Sequence, residues 1–257
     1  MKRAVKTTLQ VVAGLLALIV LAIAALAYSA FGGMAAIVDG AQPAPGVRVV
    51  KDGIVDFGVV DVGDGKVLLV DAGNDAAGQA IFGELARRHL GNDAVTAIFL
   101  THGHPDHTAG VHLFPNAVIY ALAADVALAE GRAGSHGPIT HLFAAKVNGT
   151  HVTHALRDDE TVAVGSKSVR VFAVPGHTAG SAAYLVSGVL FLGDSAGIKS
   201  DGALIGAPWA FSDDSAQNHA SLKALADRLR PEQVRIVGIV PGHSASASFD
   251  PLAQYRP

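Results

Sequence analysis

Apolar residues are grouped in this chain into one long uncharged run near the N-terminus and a series of shorter runs after it. The long run extends from Val11 to Phe31, and Lys2, Arg3 and Lys6 precede it. A bilayer-spanning helix needs about 20 apolar residues, whereas the apolar region of a signal peptide is usually about 7–15 residues long. The pattern therefore predicts a membrane-anchoring helix within residues 1–31.

The charges beside this run predict its orientation. Basic residues next to a membrane helix favour the cytoplasmic side, so we expect everything after Phe31 to lie outside the cytoplasm, in the periplasm or the extracellular space. The alternative is a signal peptide cut at the small residues Ala25-Leu26-Ala27, after which the chain would be secreted. Both interpretations export the rest of the chain.

The shorter apolar runs are rich in β-branched residues and are bounded by Gly, Pro or Asp, which is typical of β-strands. Predicted strands cover residues 47–50, 54–62, 66–70, 95–100, 117–120, 169–174, 182–186, 189–192 and 234–240. Helical spacing of apolar residues predicts helices over about 76–90, 121–130 and 216–229. Because strands and helices are mixed along the chain, we expect an α/β fold with two packed sheets and helices outside, in four layers.

Two stretches lack a regular apolar pattern. Residues 32–46 are rich in Gly and Pro, which predicts a linker between the N-terminal helix and a domain over residues 47–257. Residues 131–160 contain four histidines and have the weakest strand or helix pattern of the chain. Long loops of this kind are often lids or binding loops.

Composition narrows the chemistry that the domain can perform. The chain has 257 residues, a net charge of −3 and no basic run beyond its first six residues, so a nucleic-acid partner is not expected. It contains no cysteine, which excludes disulfides, a thiolate nucleophile and thiolate metal ligands. Any metal must be held by His, Asp or Glu, and twelve histidines are present.

Polar residues with metal-binding side chains follow five of the predicted strands. Asp71 follows residues 66–70, the sequence THGHPDH (101–107) follows residues 95–100, His177 follows 169–174, Asp194 follows 189–192 and His243 follows 234–240. Strand ends at one edge of a sheet lie close together, and binding sites of α/β proteins gather there. The repeated placement predicts one site at one edge of the fold.

The residue types and their spacing predict two metal ions at this edge. Imidazole and carboxylate are natural zinc ligands when thiolate is absent. His102 and His104 are alternate residues of an extended segment and can bind one ion together, with His177 completing that site. Pro105 is suited to begin a helical turn that directs Asp106 and His107 toward a second ion.

The remaining candidates complete this arrangement. His243 is predicted to complete the second site, and the two oxygens of Asp194 are predicted to bridge both ions. Asp71 is expected to hold a ligand histidine rather than to bind metal itself. Two zinc ions are expected, about 3.5–4 Å apart, with a water between them that is deprotonated near neutral pH. Iron or manganese in the same ligands is an open alternative.

The motifs resemble those of the metallo-β-lactamase superfamily. THGHPDHTAG (101–110) is similar to the H-x-H-x-D-H signature of that family, and its other motifs resemble DAG (71–73), PGHTAGS (175–181), GDS (193–195) and PGH (241–243), in the same order. The resemblance implies an αββα sandwich with zinc at one edge, a hydrolase, and the same two ligand sets. A bridging aspartate such as Asp194 points to the glyoxalase II-like and lactonase-like branches.

The expected activity is hydrolysis of an ester, thioester, lactone or lactam of a small-molecule substrate by the metal-bridging hydroxide, with Asp106 orienting the nucleophile or moving its proton. Trp209 and Phe211 are candidate substrate contacts, together with the segments 131–150 and 205–214. The alternatives are a phosphodiesterase or other phosphoester hydrolase using the same site, and a membrane-tethered metal-binding protein without activity. The sequence says nothing about oligomeric state.

Overall fold

The computed structural model describes residues 2–142 and 144–256. It divides into two compact units, the first ending at Gly33 and the second beginning at Met34. The first unit is the helix α1 (Lys2–Phe31). Within it, Gln10–Phe31 has a mean hydropathy of 2.8 and is long and apolar enough to cross a membrane, a test that signal sequences also pass.

The second unit contains thirteen strands and five helices among the described residues. The strands are β1 (Val47–Asp52), β2 (Val55–Gly63), β3 (Lys66–Val70), β4 (Val95–Phe99), β5 (Val118–Leu122), β6 (His154–Leu156), β7 (Thr161–Val164), β8 (Lys167–Ala173), β9 (Ala182–Val186), β10 (Val189–Gly193), β11 (Ala196–Ile198), β12 (Leu204–Gly206) and β13 (Gly238–Pro241). The helices are α2 (Gln79–Arg87), α3 (Pro105–Thr108), α4 (Val126–Ala129), α5 (Ser215–Leu229) and α6 (Asp250–Ala253).

Two sheets account for most of these strands. The first has the order β1-β2-β3-β4-β5-β6, and the second has the order β13-β10-β9-β8-β7. The strands β3 to β6 are parallel to one another, and β10 is parallel to β13. The short strands β11 and β12 form a separate antiparallel pair.

The apolar pattern of the strands explains how the layers pack. Leu68 and Val70 of β3 lie in a core shared with Val171 and Tyr184 of the second sheet, so the two sheets pack face to face. The alternate residues of β3 face outward toward α2, and the outer face of the second sheet packs against α5. Strands covered on both faces are apolar throughout, which is why β3 and β4 read as continuous runs. The predicted αββα four-layer sandwich is confirmed.

The structure corrects several predicted element boundaries. The final strand begins at Gly238 rather than residue 234, because residues 230–235 form a 3-10 helix. The predicted helix 121–130 shortens to α4 and a preceding 3-10 turn, since residues 121–122 still pair within β5. The strands β6, β7, β11 and β12 were not predicted. All four are three or four residues long, too short to show a period.

Most of the predicted linker (32–46) belongs to the second unit, which begins at Met34. Met34 pairs with Lys199 in a β-bridge, the amide of Ala35 donates to the carbonyl of Ile198, and Ala44 is buried in the core between the sheets. This stretch shows no regular spacing of apolar residues because it consists largely of small residues and Pro. Its backbone is nevertheless hydrogen-bonded to the strands of the second unit. The division of the chain at residues 31 and 46 stays a prediction.

Candidate metal centre

Five strands of the two sheets bring the predicted site residues to one edge. Asp71 follows β3, the 101–107 segment follows β4, His177 follows β8, Asp194 follows β10 and His243 follows β13. The strands β3 and β4 are parallel, and β8 runs in the same direction as β10 because both pair antiparallel with β9. Their carboxyl ends therefore meet, as the sequence pattern predicts.

Three imidazoles converge at what we name site 1, formed by His102, His104 and His177. The Nε2 atom of His177 lies 3.3 Å from Nε2 of His102 and 3.0 Å from Nδ1 of His104. All three side chains are buried, and their nitrogens lie within 4.8 Å of one another. The alternation of His102 and His104 in an extended segment directs both rings to the same side, as expected.

The second group, which we name site 2, is formed by Asp106, His107 and His243. The Nε2 atom of His243 lies 3.4 Å from Oδ2 of Asp106, and the three ligand atoms lie within 4.8 Å of one another. The short helix α3 begins at Pro105 and follows His104 directly, which confirms the predicted helical turn. This turn separates Asp106 and His107 from the first two histidines.

Asp194 faces residues of both sites. Its Oδ1 lies 3.2 Å from Nε2 of His107, and its Oδ2 lies 3.0 Å from Nε2 of His243 and 3.6 Å from Nε2 of His177. The backbone that carries His243 comes very close to Asp194: a Cβ on Gly242 would lie 2.7 Å from Oδ1 of Asp194. The seven predicted ligands are thus together in the structure, and their metal-binding role stays a prediction.

The donor set fits metal binding. Nε2 of His107 and Oδ1 of Asp194 are buried and lie 3.2 Å apart, yet neither atom makes a hydrogen bond of acceptable geometry in the described part of the chain. Buried polar atoms are normally paired, so two unpaired atoms that face one another indicate a missing ligand. Three imidazole nitrogens that lie about 3 Å from one another are likewise a typical arrangement of metal ligands.

The two sites differ in charge. Burial lowers the pKa of His177 to about 3, and burial together with the neighbouring imidazoles holds the pKa of His102 well below its usual value. Burial also lowers the pKa of His104. The site 1 imidazoles are therefore neutral at pH 7, which is the form that binds metal.

Site 2 is balanced by carboxylates. Burial disfavours a charge on His243, but Asp194 and Asp106 outweigh this effect and raise the pKa of His243 to about 10. Burial alone would raise the pKa of Asp194, yet His243 and His107 hold that pKa well below its usual range. Asp194 is accordingly a carboxylate at pH 7, with both oxygens available to cations.

Asp71 supports two of the histidines. Its Oδ2 lies 2.9 Å from Nδ1 of His107 and accepts a hydrogen bond from the hydroxyl of Thr101, and Thr101 Oγ1 lies 3.1 Å from Nδ1 of His102. The other carboxylate oxygen of Asp71, Oδ1, accepts a hydrogen bond from the amide of Thr101. Asp71 lies outside the groups that can bind metal, where the sequence pattern predicts a supporting residue.

Asp125 connects the two loops of site 1 and was not predicted. This buried carboxylate accepts from the amide of Gly103, which lies between His102 and His104, and from the amide of Gly180 and the hydroxyl of Thr178, which follow His177. No sequence signal identifies it, because an Asp at the start of a helical turn is ordinary turn chemistry.

The candidate substrate contacts lie in a segment that leads to site 1. Trp209 and Phe211 lie in a 3-10 turn that precedes Ser212, whose hydroxyl is 3.1 Å from Nδ1 of His177. Trp209 is 45% exposed and Phe211 is half-buried. On the side of site 2, Ile54 is 67% exposed, and its carbonyl lies 2.9 Å from Nδ1 of His243. Contact with substrate stays a prediction for the two aromatic residues.

Comparison with known proteins agrees with this geometry. The family model of the metallo-beta-lactamase superfamily matches residues 50–243. A hydroxyacylglutathione hydrolase of Acidiphilium cryptum is 34% identical over 144 residues, which cover 55% of this chain and 49% of that protein. The chain thus spans about half the length of the curated relatives it matches.

Solved structures agree on the fold. A metallo-beta-lactamase family protein from Thermus thermophilus is 26% identical with a TM-score of 0.58, over 79% of this chain and 75% of that one. The subclass B3 metallo-beta-lactamase BJP-1 of Bradyrhizobium japonicum is 20% identical with a TM-score of 0.59, over 83% of this chain and 81% of that one. Fold, motif order and the family match lead to one conclusion: the chain belongs to the metallo-beta-lactamase superfamily.

Proposed function

We propose that this protein is a binuclear zinc-dependent hydrolase that cleaves an ester, thioester, lactone or lactam of a small-molecule substrate. The observation that carries the proposal is the meeting of seven His and Asp side chains in two adjacent groups, with Asp194 against both. Membership of a superfamily that generally binds metal supports it. The curated relatives are named hydroxyacylglutathione hydrolases, which supports attack at a carbonyl carbon.

The side chains have separate tasks in this proposal. His102, His104 and His177 would hold one ion; Asp106, His107 and His243 would hold the second, and Asp194 would contact both. When bound, the ions supply Lewis acidity and a water of lowered pKa as the nucleophile. Zinc suits a set of imidazoles and carboxylates without thiolate.

Asp106 is the residue that we assign to proton movement. Its side chain is 26% exposed, against 11% for His243 and 6% for Asp194, so of these three side chains it is the most accessible to solvent. Its Oδ2 lies 3.4 Å from Nε2 of His243 and 3.9 Å from Nε2 of His107. From there it can orient a reacting water and accept its proton.

Exposed apolar side chains in segments that contact the two sites favour a substrate with an apolar part. Ile54 and Trp209 are both substantially exposed. The carbonyl of Ile54 lies 2.9 Å from Nδ1 of His243, and the carbonyl of Trp209 accepts from the amide of Ser212, whose hydroxyl lies 3.1 Å from Nδ1 of His177. Exposed apolar surface beside a convergent polar centre is typical of small-molecule sites.

We also propose that α1 anchors the protein in a membrane, with the hydrolase outside the cytoplasm. Support comes from the length and hydropathy of Gln10–Phe31 and from the basic residues that precede it. The division into an anchor (1–31), a linker (32–46) and a hydrolase domain (47–257) is part of this proposal.

A substrate panel tests the reaction. Full-length protein in mild detergent would be loaded with zinc and assayed on a chromogenic lactam, a lactone, a simple thioester, a hydroxyacylglutathione thioester and a phosphodiester, with His104→Ala as the inactive control. Turnover of at least one carbonyl substrate, lost in His104→Ala, is expected. Turnover of the phosphodiester alone would replace the proposal with a phosphoesterase, and two bound metals without any turnover would leave a binding protein.

Metal analysis tests the cofactor. Protein produced in defined medium with zinc, iron and manganese at equal concentration is expected to contain about two zinc ions per chain. Iron or manganese in place of zinc would contradict the zinc assignment while leaving the ligand set intact.

A further inference from the structure

Two loops beside the metal centre each place a serine hydroxyl on the outer side of a site 1 histidine. Ser135 Oγ lies 2.7 Å from Nε2 of His104, and Ser212 Oγ lies 3.1 Å from Nδ1 of His177. The other nitrogens of these rings, Nδ1 of His104 and Nε2 of His177, lie 3.0 Å apart and face each other across site 1. Each hydroxyl therefore holds its ring from the side opposite to the metal position.

The hydrogen-bond directions suit neutral imidazole ligands. The hydroxyl of Ser212 donates to the carbonyl of Pro208, so it accepts from Nδ1–H of His177 and leaves Nε2 of that ring free to bind. A His104 ring that binds through Nδ1 carries its proton on Nε2, which then donates to Ser135. Such contacts fix the tautomer and the orientation of a ligand ring.

The two loops are also bonded to each other. We name residues 131–142 and 205–214 the mouth loops. The amide of His136 donates to Oδ1 of Asp213, and the amide of Ile139 donates to the carbonyl of Ala210. The amide of Asp213 in turn donates to the carbonyl of His177. The mouth loops are thus joined to each other, and each carries a serine that contacts a site 1 histidine.

Site 2 is supported by different parts of the fold. Nδ1 of His107 is held by Asp71 at the end of β3, and Nδ1 of His243 lies 2.9 Å from the carbonyl of Ile54 in the β1–β2 turn. Neither Asp71 nor Ile54 belongs to the mouth loops. The serines of the mouth loops therefore contact site 1 histidines, whereas these two supports of site 2 come from outside the loops.

We infer that Ser135 and Ser212 are positioning residues that couple the order of the mouth loops to metal binding at site 1. This inference rests on the proposed function, because it concerns the metal sites of that reaction. A hydroxyl that orients a ligand ring increases metal affinity, and by reciprocity the bound metal must then stabilise the loop that carries the hydroxyl. Metal at site 1 orders the predicted walls of the substrate site at the same time as it completes the reaction centre.

Zinc titration measures the first half of this coupling. His243→Ala keeps the three site 1 histidines, so zinc binding in that background, measured by competition with a chelating dye, reports site 1. Adding Ser135→Ala is expected to weaken this binding about 10–100-fold. Ser135→Thr keeps a hydroxyl and should restore most of the affinity, and Ser168→Ala, an exposed serine of β8, should change nothing.

Amide hydrogen exchange measures the second half of the coupling, which is the effect of zinc on the order of the mouth loops. It is carried out on chains that keep His243. Zinc should slow amide exchange in peptides that cover the mouth loops in the natural protein and in Ser168→Ala. In Ser135→Ala the protection of residues 131–142 should be lost or clearly reduced, while peptides around Asp71 and His107 keep theirs. Circular dichroism of the metal-free variants checks that they fold. If Ser135→Ala does not fold, Ser212→Ala replaces it in both the zinc titration and the hydrogen-exchange experiment.

The inference would be overturned if Ser135→Ala left both the zinc affinity of site 1 and the zinc-dependent protection of the mouth loops unchanged. Neither measurement uses turnover. A protein that binds zinc and shows the coupling, yet hydrolyses nothing, would therefore refute the proposed function alone. A protein that hydrolyses its substrate without the coupling would refute this inference alone.

Discussion

Asp194 is the residue on which the pairing of the two sites depends, because its two oxygens face His107, His243 and His177. Asp194→Asn removes one negative charge and replaces one acceptor oxygen by a donor. We expect the metal content to fall from about two ions per chain to about one, measured by elemental analysis after dialysis. Asp201→Asn, at an exposed position in the β11–β12 turn, is the matched control. Two ions retained in Asp194→Asn would mean that this carboxylate does not bridge.

Gly242 offers a test of how closely the backbone must approach site 2. A Cβ at this position would lie 2.7 Å from Oδ1 of Asp194 and 2.7 Å from Cε1 of His107, so Gly242→Ala must displace one of them. Weaker binding of the second zinc, by roughly tenfold or more, is expected, with site 1 little changed. Gly83→Ala, where a methyl group meets no atom within 4 Å, should bind both ions normally.

The sequence predicts which His and Asp side chains meet at the candidate metal centre, but it gives little sign of the residues that support them. His177, Asp194 and His243 could be predicted because each directly follows an apolar strand, and strand ends are fixed by the sheet. Ser135 and Asp125 lie in loops whose course depends on many contacts of the folded chain, so no pattern of apolar and polar positions indicates them. Asp71 could be predicted because, like the other candidates, it directly follows a strand.

The helix α2 is fixed to the first sheet by a buried carboxylate. Glu84 accepts hydrogen bonds of 2.6–2.8 Å from Arg87 and Arg88 and lies 3.1 Å from Nε of Arg48, which belongs to β1. Burial alone would raise the pKa of Glu84, but the hydrogen bonds from Arg87 and Arg88 outweigh it and lower the pKa. The carboxylate form therefore stabilises the folded state.

The lowered pKa predicts the pH dependence of stability. A carboxyl group with a lower pKa in the folded state contributes stability above its unfolded pKa of about 4.3, and this contribution is lost as the pH falls toward the folded value. Glu84→Gln should reduce the free energy of unfolding by about 1–3 kcal/mol at pH 7, and the difference from the natural protein should shrink below about pH 4. Urea unfolding of the metal-free chain in mild detergent measures this, and a difference that stays constant or grows in acid would contradict it.

Elements were predictable where a strand is long and covered on both faces. The strands β2, β3, β4, β8, β9 and β10 all lie within or close to predicted runs. The strand β6 was missed because only Leu156 of its three residues is buried, and β7 was missed because it is a short strand at the edge of its sheet. The start of β13 was placed too early because the apolar residues of 234–237 extend the strand pattern into a 3-10 helix.

The location of the whole protein depends on the fate of α1. When the full-length chain is expressed in cells, we expect it in the membrane fraction, because Gln10–Phe31 is long enough to span the bilayer. It should also resist extraction by alkaline carbonate. Mass spectrometry of the intact protein should show that the residues before Ala27 are still present. A soluble exported chain that begins just after Ala27 would instead establish the cleaved signal.

The central claim is that seven distant side chains hold two metal ions at one edge of the sandwich. Anomalous diffraction at the zinc edge, on crystals of the zinc-loaded protein, tests it most directly. The account predicts two peaks about 3.5–4 Å apart, one within about 2.0–2.2 Å of nitrogens of His102, His104 and His177, and the other within that distance of Asp106, His107 and His243. Asp194 should contact both. A single peak, or peaks bound by other residues, would contradict the account.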